Sequence, residues 1–164
     1  MFVIKTLSPE DVLSWKKIRL EGLLESPQAF GESYAVESNK SDAEHSDQLT
    51  KSTIFACYGD KNEILGVLGF YVNSVTNARH RGNLFCMYVR PEQRWKGIGG
   101  QLIDQAIDYA KTKVQQLHLT VVTNNNAAVE LYKKRGFTIY GTEPRALLLA
   151  NTYFDEYLMV KILQ

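Results

Sequence analysis

The run Met87-Tyr88-Val89-Arg90-Pro91-Glu92-Gln93-Arg94-Trp95-Lys96-Gly97-Ile98-Gly99-Gly100 passes from an apolar strand-like stretch, through a proline turn, into an amphipathic helix start. A helix N-terminus leaves its first amides unpaired and carries partial positive charge, so backbone alone can bind a phosphate there if no Cβ blocks the approach. Gly97, Gly99 and Gly100 supply that access, and Arg94 and Lys96 add charge suited to a polyanion. A glycine turn that only joins a strand tightly to a helix would read the same in isolation. Two rival phosphate motifs are excluded. The chain has no Gly-x-x-x-x-Gly-Lys-Ser/Thr, and Leu102 stands where the dinucleotide fingerprint needs its third glycine.

Periodicity organises the rest of the chain. Residues 2–6 predict a strand, and Ser8-Pro9-Glu10-Asp11 combines a capping hydroxyl, an early proline and acids in a first turn. The helix that follows is expected to bury Val12, Leu13, Ile18, Leu20, Leu23 and Leu24 and to stop at Ser26-Pro27. Residues 28–52 are polar, with short helices expected there, one over 42–51, as a flexible cover on one side. Residues 53–58 and 64–73 flank Gly59-Asp60-Lys61-Asn62 as a hairpin, and 83–89 continue the sheet. In 97–111 the period changes: Ile98, Leu102, Ala106 and Tyr109 recur at helical spacing, with Asp104, Asp108 and Lys111 elsewhere on the circumference. Strands at 117–122, 137–140 and 157–163 and a helix at 125–135, closed by Gly136, complete a mixed α/β sheet with helices on its faces. With 164 residues, no repeat and no linker, residues 1–164 are expected to form one domain.

Composition removes several classes of function. Nineteen basic (19) against 18 acidic side chains leave a net charge of +1, too little for a general basic field, and no nucleic-acid-binding motif is recognisable. Cys57 and Cys86 lie in apolar runs without metal-ligand spacing, so buried thiols are expected, with no disulfide framework and no metal. No basic segment followed by an apolar stretch opens the chain, and no run approaches the roughly 18 apolar residues of a membrane span. A cytoplasmic protein without a membrane partner is expected.

Arg94-x-x-Gly97-x-Gly99, after Met87-Tyr88-Val89-Arg90-Pro91-Glu92, resembles the pyrophosphate-binding motif of the GNAT acetyltransferase superfamily. Asn125-x-x-Ala128-x-x-Leu131-Tyr132-x-x-x-Gly136-Phe137 is similar to that superfamily's downstream motif in order, spacing and residue type. The likeness is strong over residues 83–140 and looser elsewhere. It implies an acyl-CoA N-acyltransferase fold: a single-domain α/β architecture with a mixed, largely antiparallel sheet, helices on both faces and a splayed central strand pair. It further implies that acetyl-CoA is the co-substrate, that an amine acceptor attacks it directly in a ternary complex, and that no cysteine nucleophile is needed. The oligomeric state stays open, a homodimer being one option.

Roles follow from the same resemblance. The backbones of Met87, Tyr88 and Val89 would pair with the pantetheine arm, and the amides of Trp95, Lys96, Gly97, Ile98, Gly99 and Gly100 would hold the pyrophosphate beside Arg94. Asn125 would touch the cofactor arm, although asparagine before a helix is also a favoured cap. Tyr132 would protonate the departing thiolate: a phenol near pKa 10 can donate to a thiol of roughly 8.5 when the geometry allows. An ordinary core tyrosine is the alternative. A carboxylate or histidine before the cradle would serve as base in many members, but Asn83 and Phe85 stand on that face here. Glu32, His118 and Glu143 are the remaining candidates, His118 reading first as a structural histidine and only second as a base. Arg79-His80-Arg81 reads as a solvated loop, and Tyr34, Tyr71 and Tyr153 as packing. A non-catalytic acyl-CoA-binding module is the alternative function.

Overall fold

The computed structural model describes residues Met1–Gln164. Seven strands form one sheet: β1 (Val3–Thr6), β2 (Thr53–Tyr58), β3 (Ile64–Val72), β4 (Arg81–Val89), β5 (Gln116–Val122), β6 (Thr138–Leu149) and β7 (Thr152–Ile162), in the order β1-β2-β3-β4-β5-β7-β6. All neighbours run antiparallel except β4 and β5. The helices are α1 (Val12–Glu25), α2 (Tyr34–Ser38), α3 (Asp42–Lys51), α4 (Ile98–Ala110) and α5 (Asn126–Lys134). The expected mixed sheet with helices on both faces is therefore observed.

Each face has its own core. On one, Ile98, Leu102, Ile103 and Ala106 of α4 and Val129 and Tyr132 of α5 pack with Phe55, Leu68, Leu117, Leu119 and Phe137. On the other, Trp15, Ile18 and Leu23 of α1 and Leu49 of α3 cover Ile54, Val67, Cys86 and Tyr88. The apolar pattern of α4 reads correctly. That of α1 does not: Leu13 and Leu24 are 68% and 64% exposed, and Trp15 and Gly22 take the buried face instead. The choice of face is made by the sheet, because an apolar side chain outside the stripe that meets it has nothing to pack against.

The last two strands correct the sequence reading most. β6 and β7 are far longer than 137–140 and 157–163, and they turn at Ala150 and Asn151, both with positive φ. Glu143, beyond the expected end of this strand, lies inside β6. Much of β6 is exposed, so the apolar alternation that marks a half-buried strand is weak there. Arg81 is not in a solvated loop: it opens β4, its Nε is buried without a partner, and its Nη2 lies 3.5 Å from His118 Nδ1.

Two features of β4 shape the centre of the sheet. Its parallel ladder with β5 covers only Arg81↔Gln116, Gly82↔Leu117 and Asn83↔His118 and then stops, so the two strands splay from Leu84 onward. The register with β3 also shifts between Val67↔Tyr88 and Gly69↔Phe85, with Cys86 at φ 49°. This bulge sends Phe85 and Cys86 to the α1 side together, while Leu84 and Met87 face α4.

Candidate functional site

The open end of the β4/β5 cleft is bordered by the turn that leads into α4. Pro91–Gln93 forms a single helical turn, Trp95 adopts φ 65° with 90% of its surface exposed, and Gly97 is the N-cap at φ 85° with no side-chain cap. Gly97 is thus required by conformation, since a left-handed φ costs an L-residue about 1–2 kcal/mol. No carbonyl or side chain of the protein accepts from the amides of Trp95, Lys96, Gly97, Ile98, Gly99 or Gly100. They form a run of uncommitted donors at the positive end of a 13-residue helix.

The cations beside this run divide. Arg94 is committed inward: Nε donates to the Val89 carbonyl at 2.9 Å, Nη2 pairs with Glu25 at 2.7 Å, and the guanidinium lies over the Tyr88 ring. Burial works to raise the Glu25 carboxyl, but the Ser26 hydroxyl and Arg94 outweigh it and hold it below the ordinary range. Lys96 is exposed and touches Gln93. Arg135, which the motif alone did not single out, lies across the first turn of α4: a Cβ on Gly100 would come within 2.0 Å of its Nη2. Its Nε donates to Asp104 at 3.3 Å, a pairing formed only when α5 packs beside α4.

Along the cleft, Tyr88 is buried on the α1 side and donates to Glu21 at 3.2 Å, and Arg90 binds both oxygens of the same carboxylate. Met87 and Val89 are half-buried toward α4. Asn125 caps α5, its Oδ1 accepting from the Ala128 amide at 3.2 Å. Tyr132 is 6% exposed, edge-on to Phe137 at 5.8 Å between centroids. Burial raises its phenol well above the usual value, and Cys86, close enough to be felt electrostatically, adds to the shift. Tyr132 and the β4 bulge therefore stand near one another, from opposite faces of the sheet. Burial pushes the Cys86 thiol up to about 12, against the opposing pull of Arg19.

The base candidates separate. Glu32 is exposed and accepts from the Ser33 amide. His118 lies among Gln116, Arg81 and Tyr140, and burial, then Arg81 and His80, lower its pKa. Such a histidine is neutral and engaged. Asn83 and Phe85 stand on the α1 side of β4, as the alternation of the strand requires. A groove of about 880 Å³, lined by Asp104, Asp108, Lys111, Lys134, Arg135 and Lys161 among others, opens elsewhere, past the ends of α4 and α5, and contains neither Tyr132 nor the glycine run.

Comparison with known proteins follows this geometry. The model of the acetyltransferase (GNAT) family matches residues 20–137, from α1 through the whole cleft. The L-amino acid N-acetyltransferase AaaT of Escherichia coli is 29% identical over 100 residues, 58% of this chain and 62% of that protein. The L-methionine sulfoximine/L-methionine sulfone acetyltransferase of Pseudomonas aeruginosa is 34% identical over 94 residues, 56% of this chain and 46% of that one. The chain thus spans less than two thirds of the length of these curated relatives. The structure of yncA from Salmonella typhimurium with acetyl-CoA superposes with a TM-score of 0.84 and 18% identity, covering 100% of this chain and 95% of that one, a likeness of fold.

Proposed function

The chain belongs to the acetyltransferase (GNAT) family, and we propose that it transfers acetyl from acetyl-CoA to a primary amine by direct attack in a ternary complex. The observation that carries this reading is the parallel β4/β5 pair that closes at Asn83 and His118 and opens toward a run of unpaired amides. An extended pantetheine arm would lie along the free edge of β4 at Met87, Tyr88 and Val89 as an added strand. The amides from Trp95 to Gly100 would receive the pyrophosphate, with Arg135 and Lys96 supplying charge from either side. Arg94 would act by holding the turn through Val89 and Glu25. Asn125 would serve by capping α5, which carries Tyr132 into the site.

The chemistry asks for a neutral amine, a polarised thioester and a proton for the leaving sulfur. Tyr132 has the right protonation state for the last, since burial keeps it a phenol at neutral pH. Cys86, with a pKa near 12, is a poor nucleophile, which favours direct attack over an acetyl-cysteine intermediate. The two curated relatives described above are named for L-amino acids and for L-methionine sulfoximine and sulfone, and an acceptor of that kind belongs to the proposal. The same reading places the protein in the cytoplasm without a nucleic-acid partner.

The deciding experiment is thiol release from acetyl-CoA against amino acids, polyamines, aminoglycosides and N-terminal peptides. Turnover on at least one acceptor is expected. Tight coenzyme A binding with no turnover on any would make the protein a non-catalytic acyl-CoA-binding module.

A further inference from the structure

β7 carries a carboxylate that the strand assignment from sequence left out. Glu156 is the Cα partner of Val122 at the end of β5, and Glu143 of β6 stands directly opposite it on the other side. Partners in a ladder share a face. On β5, Leu117, Leu119 and Val121 enter the α4-side core, so Val122, and Glu156 with it, face the α1 side. That is the face to which the bulge directs Phe85 and Cys86, across the cleft from β5.

The space above Glu156 is roofed. The turn Pro27–Ala29 packs against β4, β5 and β6 at once. Because β7 lies between β5 and β6, a turn that touches all three spans both the cleft and the strand bearing Glu156. Glu156 is half-buried there, and neither it nor Glu143 forms an ion pair with any cation. Two like charges opposed across a ladder weaken it. A positively charged acceptor between the roof and the sheet would remove that repulsion.

Resting on the reading of the site as an amine acetyltransferase, we propose that Glu156 is the general base, taking the proton of the acceptor ammonium on the α1 side of the cleft. One N–H proton passes to the Glu156 carboxylate. The neutral nitrogen attacks the thioester carbon, the C–N bond forms, and the C–S bond breaks as the carbonyl re-forms. Tyr132 protonates the sulfur and recovers its proton from the nitrogen through solvent. Glu156 returns its own to water, so the products are an amide, a free thiol and one proton.

The surroundings of Glu156 suit the role. Burial raises its carboxyl above the ordinary range, and the Glu143 charge adds to this while the Thr120 hydroxyl opposes it. A carboxyl shifted in that direction lies nearer the pH at which it must work. By register and hydrogen bonding its neighbours are Val122 and Thr120 on β5 and Glu143 on β6, with the uncharged Pro27–Ala29 turn near β5 and β6 and the neutral thiol of Cys86 on the same face across the cleft.

The test compares wild type, Glu156→Gln and His118→Asn with the best acceptor of the thiol-release panel. For Glu156→Gln, kcat at pH 7 should fall by about 10²-fold or more. The low-pH limb of kcat/KM should move up to the pKa of the acceptor amine, with the coenzyme A Kd unchanged and the melting temperature equal to or above that of wild type, since the repulsion with Glu143 is relieved. His118→Asn should keep the wild-type limb. An unaltered kcat and profile in Glu156→Gln would overturn the proposal. A second measurement does not need turnover: 1,4-diaminobutane added to the coenzyme A complex should shift the amide resonances of Thr120 and Glu156, and should do so much more weakly in Glu156→Gln. Identical shifts in both proteins would also overturn it. Failure of the wild type on every acceptor sinks the acetyl-transfer reading instead, and Glu156 is then judged on the diamine shifts alone.

Discussion

Tyr132 draws its chemistry from burial. With 6% of its surface exposed and its pKa raised by burial, it holds its proton at neutral pH. Tyr132→Phe removes the donor but keeps the ring against Phe137, so kcat should drop by roughly 10- to 100-fold while the acetyl-CoA Kd stays near wild type. Stopped-flow turnover with calorimetric binding separates the two, and unaltered turnover at all pH values would remove the acid from the mechanism. Cys86 gives the opposite expectation. Its thiol near 12 is almost wholly protonated at neutral pH, and Cys86→Ala should keep kcat within about twofold. Loss of activity with the fold intact would reopen a covalent route. Tyr132 was legible from the downstream motif, and Cys86 as a buried thiol from its apolar run. The raised pKa values were not, because burial is a property of packing.

Among the elements, the turn into α4 shows how local sequence and backbone conformation agree. Gly97 sits at φ 85° with open space where a Cβ would go, so Gly97→Ala meets a conformational penalty and no clash. The expected stability loss is about 1 kcal/mol by urea denaturation. The acetyl-CoA KM should rise several-fold, since the tilt of the neighbouring amides depends on that φ. An unchanged KM would mean that these amides do not hold the pyrophosphate. α4 was readable because thirteen residues carry a clean helical period. β6 was not, because an edge strand with most of its residues exposed lacks the alternation that burial imposes. α1 lies between these cases. Its limits at Ser8-Pro9 and Ser26-Pro27 were marked by turn chemistry, whereas its buried stripe, Trp15, Ile18 and Leu23, depended on the sheet beneath.

At the scale of the molecule, the α1–α3 cover is tied together by a polar knot and held to the sheet by its apolar core. Glu37, 1% exposed, accepts from Arg19 Nε at 2.8 Å, Lys40 Nζ at 2.7 Å and Gln48 Nε2 at 3.3 Å. Gln48 in turn accepts from Trp15, and Arg19 lies over the Trp15 and Phe30 rings. Burial alone would raise the Glu37 carboxyl, but these donors reverse the sign and bring it from 4.5 to about 2. A carboxyl lowered in the folded state contributes stability above its unfolded pKa and loses it as pH falls toward the folded value. Unfolding free energy should therefore decline between about pH 4.5 and 2 by on the order of 3 kcal/mol from this residue. Glu37→Gln should flatten that part of the curve and cost about 3 kcal/mol at pH 7, because Arg19 and Lys40 are left without their counter-charge. A denaturation series with equal slopes in both proteins would assign the acid sensitivity elsewhere.

The sequence by itself determined the glycine turn into α4, the two central helices, the hairpin of β2 and β3, and the family. Each depends on neighbours within about a dozen positions: glycines where a backbone must approach or invert, a 3.6-residue period, a cap three residues from its amide. The tertiary structure decided which groups meet. Arg94 turning inward to Glu25, Arg135 lying across Gly100, Tyr132 near the bulge at Cys86, and Glu156 set between Val122 and Glu143 on the α1 side of the sheet all join residues far apart in the chain. No local pattern encodes such pairings, because they are set by strand order, register and a one-residue bulge, and a shift of one position would turn each side chain to the other face.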